Sequence, residues 1–207
     1  NTARRTFSGI NNFTLVAVPL FILAGELMTQ GGISKRLINF SKTLVGPLHG
    51  GLAMVVILSS MFFSALTGTA IAAAAAIGGM MIPAMIKEGY DKRFAATIVA
   101  SSATIGPIIP PSIVFILYGV MASVSIGDLF IAGIVPGILM GVSLMIYSYV
   151  VGKKEGYRAS ERRATLKEIL VGAKDALLAL IMPVIIIGGI ISGIFTATES
   201  GVIAVVY

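Results

Sequence analysis

Three prolines sit in the middle of a stretch that is otherwise apolar enough to cross a membrane, and few folds accommodate that. The stretch runs from about Phe94 to Met121, and its centre reads SSATIGPIIPPS, Ser101–Ser112. A membrane helix needs about 20 apolar residues. Pro107, Pro110 and Pro111 lack a backbone N–H, and each disfavours α geometry in the residue before it. Gly106 loosens the backbone further. The spacing predicts two half-helices, Phe94–Ala103 and Ser112–Met121, joined by an unwound strip. Unpaired carbonyls are costly in hydrocarbon, so irregular backbone survives there only when buried in protein or lining a watery site. The carbonyls of Thr104 to Ile109 are therefore candidate ligands. The plainer alternative is a proline-kinked helix that binds nothing.

Composition sets the surroundings. Hydrophobic residues make up 57% of the chain and charged residues 12%, where soluble domains carry roughly 25% charged residues. The class is an all-α, multi-span membrane protein. The net charge of +6 comes in short basic clusters, which read as topology signals and not as a nucleic-acid surface. There are no cysteines, which excludes disulfides, thiolate metal sites and cysteine nucleophiles. The sequence opens on Asn1 without a signal-peptide pattern and stops at Tyr207 inside an apolar run, so it reads as a piece of a longer protein.

Phe13–Thr29 reads as a first span, with Glu26 its only charge and Pro19 a possible bend. Ile33–Val45 reads as an amphipathic surface helix, with Ile33, Leu37, Ile38, Leu44 and Val45 on one face and Ser34, Lys35, Arg36, Ser41 and Lys42 elsewhere. Leu52–Ile86 is interrupted at FFSALTGTA, Phe62–Ala70, where Ser64, Thr67, Gly68 and Thr69 are cap and turn residues. It is either one long tilted span or a re-entrant hairpin, Leu52–Phe63 and Ala70–Ile86. Lys35, Arg36 and Lys42 precede it and Lys87, Lys92 and Arg93 follow it, so the positive-inside rule favours the hairpin with both ends cytoplasmic. Ala122–Asp128 then emerges outside without a basic residue. Leu129–Val151 returns to the cluster of Lys153, Lys154, Arg158, Arg162, Arg163 and Lys167. Arg4 and Arg5 are the exception, since this scheme places them outside. Thr165–Leu178 reads as a second amphipathic helix with Leu166, Ile169, Leu170, Ala173 and Leu177 on one face, followed by a span over Ala179–Ile194 and a turn at Phe195–Gly201 into another helix. Residues 1–51 form a first span and surface arm, 52–122 a hairpin and broken helix, 123–164 a span and linker, and 165–207 the start of a second, inverted repeat.

The two interruptions supply complementary chemistry. The hairpin tip offers the hydroxyls of Ser64, Thr67 and Thr69, and the strip offers carbonyls. Oxygen ligands without a carboxylate suit a monovalent hard cation such as Na⁺ better than Ca²⁺ or Zn²⁺. Helices starting near Ala70 and Ile113 aim positive dipole ends at the same region, which favours an anion. Thr69 and Ser112, directly before those helix starts, are the candidate substrate contacts. A cation site beside an anion site is the layout of a Na⁺-coupled carrier of organic anions.

FSALTGTAIAAAAAIG, the GY of EGYDKRFAA, and SSATIGPIIPPSIVFILYG resemble the large membrane subunit of tripartite ATP-independent periplasmic (TRAP) transporters, and PLFILAGELM and GIFTATESG fit the same family. The resemblance covers essentially the whole sequence. It implies the ion-transporter superfamily fold with inverted repeats and a multi-pass location in the bacterial inner membrane. It also implies Na⁺ as coupling ion with no other cofactor, and partnership with a small membrane subunit and a periplasmic solute-binding protein. The cargo it implies is an organic acid such as a C4-dicarboxylate or sialic acid. Carried over by position, the Na⁺ site involves Ser64, Thr67, Gly106, Ile109 and Pro111. The family often has Ser at the positions of Thr67 and Thr69, and both types supply a hydroxyl. FTATES departs from the family's FTPTEA at Ala197 and Ser200, so no role passes to Glu199.

Other classes fit less well. An intramembrane serine hydrolase needs a nucleophile and a base within reach, yet Ser64 lies in no G-x-S-x-G and His49, the sole histidine, sits beyond the far end of the first hairpin helix. An ion channel would use similar carbonyls, but no repeated filter pattern occurs. No P-loop is present for ATP hydrolysis. Glu26 and Glu199 read as interfacial residues and the ten methionines as packing.

Overall fold

The computed structural model describes residues 12–157 and 164–207. Arg4, Arg5, Arg158, Arg162 and Arg163 lie outside the described residues, so the basic signals they contribute are not placed. Among the described residues there are nine α-helices and no strand. After a short 3₁₀ turn, Phe13–Val16, they are α1 Ala17–Gln30, α2 Ile33–Val45, α3 Gly51–Thr67, α4 Ala70–Lys87, α5 Lys92–Ala103, α6 Ile113–Ala122, α7 Ile126–Glu155, α8 Leu166–Ile191 and α9 Ala197–Val206. Four helical stretches are long and apolar enough to cross a membrane: Phe13–Gln30, α4, α7 and α8.

The interior is organised around α3. Almost every residue along it is buried, from Gly51 through Ile57 to Ser64 and Thr67, because α2, α4, α5 and α7 all pack on it. α3 and α4 fold back on one another. Their outer ends meet at one end of the molecule, where the Leu52 amide donates to the Tyr90 hydroxyl at 3.3 Å. Tyr90 stacks on Tyr157 with ring centroids 4.2 Å apart, and the Gly50 amide donates to the Tyr157 carbonyl at 2.8 Å. Tyr90 is only 3% exposed, and burial pushes its phenol up to about 12. This aromatic base lies beside Lys87, Lys92, Arg93, Lys153 and Lys154. The opposite end gathers Asn12, Ser123, Ile126, Ile190 and Thr196 around one recess, and among the described residues its loops contain no Lys or Arg. α1 therefore starts at the distal end, whereas α8 ends there.

α7 is the buttress. Gly133, Gly137 and Gly141 recur every fourth residue along it, and each is buried. The Ile108 carbonyl lies against Gly133, Met61 of α3 lies against Gly141, and Gly50 lies against Gly152. A side chain at any of these positions would meet backbone or packed sulfur. Small residues at this spacing let helices approach closely where lipid gives no hydrophobic drive.

Three expectations change. The break in the hairpin is far tighter than Phe62–Ala70: α3 runs on through Thr67, and only Gly68 and Thr69 separate it from α4. Gly68 adopts φ 64°, a left-handed conformation that ends a helix at little cost for glycine. The buried stripe of α2 is Ser34, Leu37, Ile38 and Ser41 with Phe40, while Leu44 is exposed. The serines sit inward because they are small enough for α3 and α8 to approach. The predicted surface helix Thr165–Leu178 and span Ala179–Ile194 are one continuous helix, α8, opened by a Thr165/Glu168 capping box. Its buried side is Ala176, Ala179, Met182, Ile186 and Gly189, whereas Leu166, Leu170 and Leu177 point outward. Apolar character does not mark the inside of a protein whose solvent is lipid.

Candidate functional site

The hairpin tip and the proline strip meet. α5 ends at Ala103, and the strip closes through a cis peptide between Pro110 and Pro111 before α6 begins at Ile113. Gly68 at the tip lies against the Pro111 carbonyl. A methyl group on Gly106 would come within 2.9 Å of the Thr69 carbonyl carbon. The two irregular segments therefore touch backbone to backbone through two glycines.

Each predicted side chain has a definite place. Ser64 is fully buried, and its hydroxyl has no hydrogen-bond partner among the described residues. It sits one turn below Gly68, whose amide donates to the Ser64 carbonyl at 2.8 Å. Thr67 is 2% exposed and its hydroxyl donates to the Phe63 carbonyl at 3.3 Å. That bond uses the proton and leaves the oxygen lone pairs free. The γ-methyl of Thr67 packs against Gly25 of α1, where a methyl on the glycine would lie 2.9 Å away. Thr69 caps α4, accepting from the Ala72 amide at 3.2 Å. Ser112 caps α6, accepting from the Phe115 amide at 3.2 Å, and donates to the Pro107 carbonyl. The Ser112 hydroxyl thus holds the strip closed.

The strip carbonyls divide into two groups. Ile105 accepts from the amides of Ile108 and Ile109, both at 3.0 Å, and Pro107 accepts from Ser112. Those two are committed, which narrows the Thr104–Ile109 set read from sequence. The carbonyls of Thr104, Gly106, Ile108, Ile109, Pro110 and Pro111 accept no hydrogen bond from any described residue, so the predicted Gly106, Ile109 and Pro111 are among the free ones but are not singled out by this. The Ile109 side chain is turned to α7, where a methyl on Gly137 would meet it at 2.6 Å.

Electrostatically the region is neutral. No Asp, Glu, His, Lys or Arg occurs between Ser64 and Ala72 or between Thr104 and Ser112. Among the described residues no cluster of His, Cys, Asp or Glu could hold a metal. What remains is a buried hydroxyl without a partner, a second hydroxyl with free lone pairs, and uncommitted strip carbonyls that include those of Gly106, Ile109 and Pro111. That donor set fits a small monovalent cation. The N-termini of α4 and α6 open on the same junction and add partial positive charge suited to an anionic group.

Two further polar residues singled out in the sequence, Glu199 and His49, have structural places. Glu199 reaches back to the Thr196 amide at 2.7 Å and completes a capping box for α9. His49 packs edge-on to Tyr149 at a centroid distance of 5.7 Å, at the base and not at the tip.

Sequence reasoning missed Gly25, whose close approach to Thr67 depends on how α1 crosses α3. It also missed a buried hydroxyl pair, Ser60 and Ser102, joined across α3 and α5 at 3.1 Å. The α7 glycines were visible as GIVPGILMG, with glycine at every fourth position.

Comparison with known proteins matches residues 1–207 to the family model described as tripartite ATP-independent periplasmic transporter, DctM component. The chain is 46% identical over 205 residues to the isethionate TRAP transporter permease protein DctMQ of Oleidesulfovibrio alaskensis, covering 99% of this chain and 32% of that protein. It is 44% identical to the C4-dicarboxylate TRAP transporter large permease protein DctM of Pseudomonas aeruginosa, covering 99% of this chain and 48% of that protein. The same figures hold for the sialic acid TRAP transporter large permease protein SiaM of Vibrio cholerae, 44% identity with 99% and 48% coverage. The chain thus spans a third to a half of the length of these relatives.

Proposed function

The chain belongs to the DctM component family of the tripartite ATP-independent periplasmic transporters, and from that premise we propose that it supplies one Na⁺ site of a sodium-coupled organic-acid importer. It is a multi-pass protein of the inner membrane. The reading rests chiefly on place: of the buried serine hydroxyls without a partner among the described residues, which also include Ser34, Ser41, Ser59, Ser148 and Ser200, that of Ser64 lies directly below the contact between tip and strip. A buried hydroxyl left unpaired costs ~1–3 kcal/mol, and a bound cation removes that cost. Ser64 and Thr67 would hold Na⁺ through hydroxyl oxygens, and Gly106, Ile109 and Pro111 through carbonyls.

Coupling to substrate follows from electrostatics. The helix N-termini of α4 and α6 favour an anionic group in an otherwise neutral site. A Na⁺ held beside them adds a full positive charge, so ion binding raises affinity for a carboxylate, and the carboxylate raises affinity for the ion by the same factor. Thr69 and Ser112 stand at those helix starts and frame the substrate position. Delivery by a periplasmic binding protein and assembly with a small membrane subunit complete the proposed system.

Dimensions support a re-entrant tip. α5 has 12 residues, about 18 Å at roughly 1.5 Å per residue, so the strip lies little more than half-way across a hydrocarbon core of about 30 Å. The tip that touches the strip shares that depth. With the basic end cytoplasmic, the site is reached from one side by this hairpin. The opposite senses of α1 and α8 favour a second hairpin and a second broken helix entering from the other side, elsewhere in the full-length protein. A hydrolase is disfavoured because Ser64 and His49 flank opposite ends of α3, separated by about 20 Å of helix.

The test is initial uptake against Na⁺ concentration in proteoliposomes containing the complete transporter and its binding protein. Ser64→Ala and Thr67→Ala should each raise the half-saturating Na⁺ concentration about tenfold or more, because a hydrogen-bonding group bound to a charge contributes ~1.5–3 kcal/mol. Unchanged Na⁺ curves at normal expression would move the ion site elsewhere.

A further inference from the structure

Below the tip, one side-chain hydrogen bond joins α3 and α5 among the described residues. Ser60 is 1% exposed and Ser102 is fully buried, and the Ser102 hydroxyl donates to Ser60 at 3.1 Å. The Ser102 oxygen also lies 3.0 Å from the Val99 carbonyl. With one proton to give, Ser102 serves one acceptor at a time, and when it donates to the Val99 carbonyl the Ser60 hydroxyl donates to Ser102, so the pair persists.

The position of this pair gives it a role beyond holding two helices together. Ser60 stands four residues before Ser64, one turn lower on the same face of α3. Ser102 stands at the end of α5, and its own carbonyl accepts from the Ile105 amide at 3.2 Å, the first bond of the strip. The next bond, from the Gly106 amide to the Ala103 carbonyl at 2.9 Å, sets the glycine that faces Thr69. One residue therefore ties the first turn of the strip to the helix that carries Ser64 and Thr67. Apolar contacts between α3 and α5 tolerate small slips along the helix axes, whereas the bond between the two hydroxyls forms in one register; a slip leaves Ser102 on Val99 of its own helix and takes away the partner of Ser60.

From this we infer that Ser60 and Ser102 are positioning residues for the ion site: their hydroxyl pair fixes the height of the strip carbonyls relative to the tip hydroxyls. The inference rests on the Na⁺ site proposed above. Ser60→Ala and Ser102→Ala break the pair without touching a proposed ligand, and the double variant removes it from both sides. Ser60→Thr keeps a hydroxyl at the same place.

The experiment uses the complete transporter and two readouts: the Na⁺ dependence of initial uptake, and the rise in melting temperature of the detergent-solubilised complex on adding Na⁺. Each single alanine variant should raise the half-saturating Na⁺ concentration about threefold or more, and the double variant should be no worse than the worse single, as expected for side chains that act as a pair. Ser60→Thr should remain near wild type. Thermal stabilisation by Na⁺ should shrink in parallel, while melting temperature without Na⁺ changes little, since hydrogen bonds between membrane helices average only about 0.6 kcal/mol. Ser64→Ala runs beside them. If Ser64→Ala shifts the Na⁺ curve and the pair variants do not, or if their effects simply add, positioning by the pair is refuted while the ion site stands. If none of the variants shifts the curve, the ion site itself is refuted.

Discussion

Replacing Gly106 by alanine is the sharpest test of the contact between strip and tip. The added methyl would lie 2.9 Å from the Thr69 carbonyl carbon, 3.0 Å from the Thr69 oxygen and 3.1 Å from the Ala103 oxygen. Carbon atoms settle at about 3.5–4.0 Å, so the overlap with Thr69 is roughly half an ångström or more. All three neighbours are backbone, and none can rotate away. Gly106 has no positive φ, so alanine suffers no conformational strain there and the effect is purely one of space. Strip and tip must separate, at the ~1–3 kcal/mol that overpacking costs. Where that separation pulls carbonyls away from hydroxyls that share one ion, the cost appears as a Na⁺ half-saturation raised about 5- to 150-fold. Gly79 on α4 is the matched control, since a methyl there meets nothing within 4 Å. Uptake against Na⁺ in proteoliposomes reads both variants. A Gly106→Ala transporter with a wild-type Na⁺ curve, alongside an unaffected Gly79→Ala, would refute the claim that the tip-to-strip contact sets ion affinity.

Two further outcomes are expected. Cysteines introduced at Leu48 and Glu88, in a chain that has none, should both react with membrane-impermeant reagent from the cytoplasmic face; labelling from opposite faces would contradict the hairpin. Burial raises the Tyr90 phenol from 10.0 to about 12, so the folded state keeps its proton over a range where the unfolded chain has lost it, and stability from this group is full below pH 10 and falls as pH rises through that window. Tyr90→Phe should therefore lower the melting temperature slightly at neutral pH and flatten its decline above pH 10; an identical decline in the two proteins would place the Tyr90 ring elsewhere.

The sequence disclosed the backbone breaks of tip and strip better than the packing around them. Pro107, Pro110 and Pro111 are local and unambiguous, so the half-helices came out within two residues of α5 and α6. Gly68 and Thr69 were likewise visible as a break, although its width was overstated because Ser64 and Thr67 are cap-type residues that here stay helical, Thr67 by bonding back to Phe63. Which side of a helix faces inward was poorly legible. Leu166 and Leu170, read as part of the apolar face of an amphipathic helix, do face outward, but Ser34 and Ser41, read as lying off the apolar face of α2, face inward. In a membrane both sides are apolar, so hydrophobicity alone does not tell which side is buried. Contacts such as Gly25 with Thr67 or Ser60 with Ser102 join residues 42 apart and depend on helix crossings that no local pattern encodes.

The absence of any ionised side chain from the tip and strip has an electrical consequence. Hydroxyls and carbonyls can solvate a cation, but they do not cancel its charge. An empty site is neutral, and a site holding Na⁺ carries one elementary charge. Whatever part of the protein carries the loaded site across the membrane field moves that charge with it, worth roughly 2.3 kcal/mol per 100 mV for a full crossing. An acidic side chain among the ligands would have erased this term. In the proposed sodium-coupled carrier, a site built from neutral oxygens leaves this term intact for the ion, and the net charge moved is that of the Na⁺ together with the anionic cargo bound beside it.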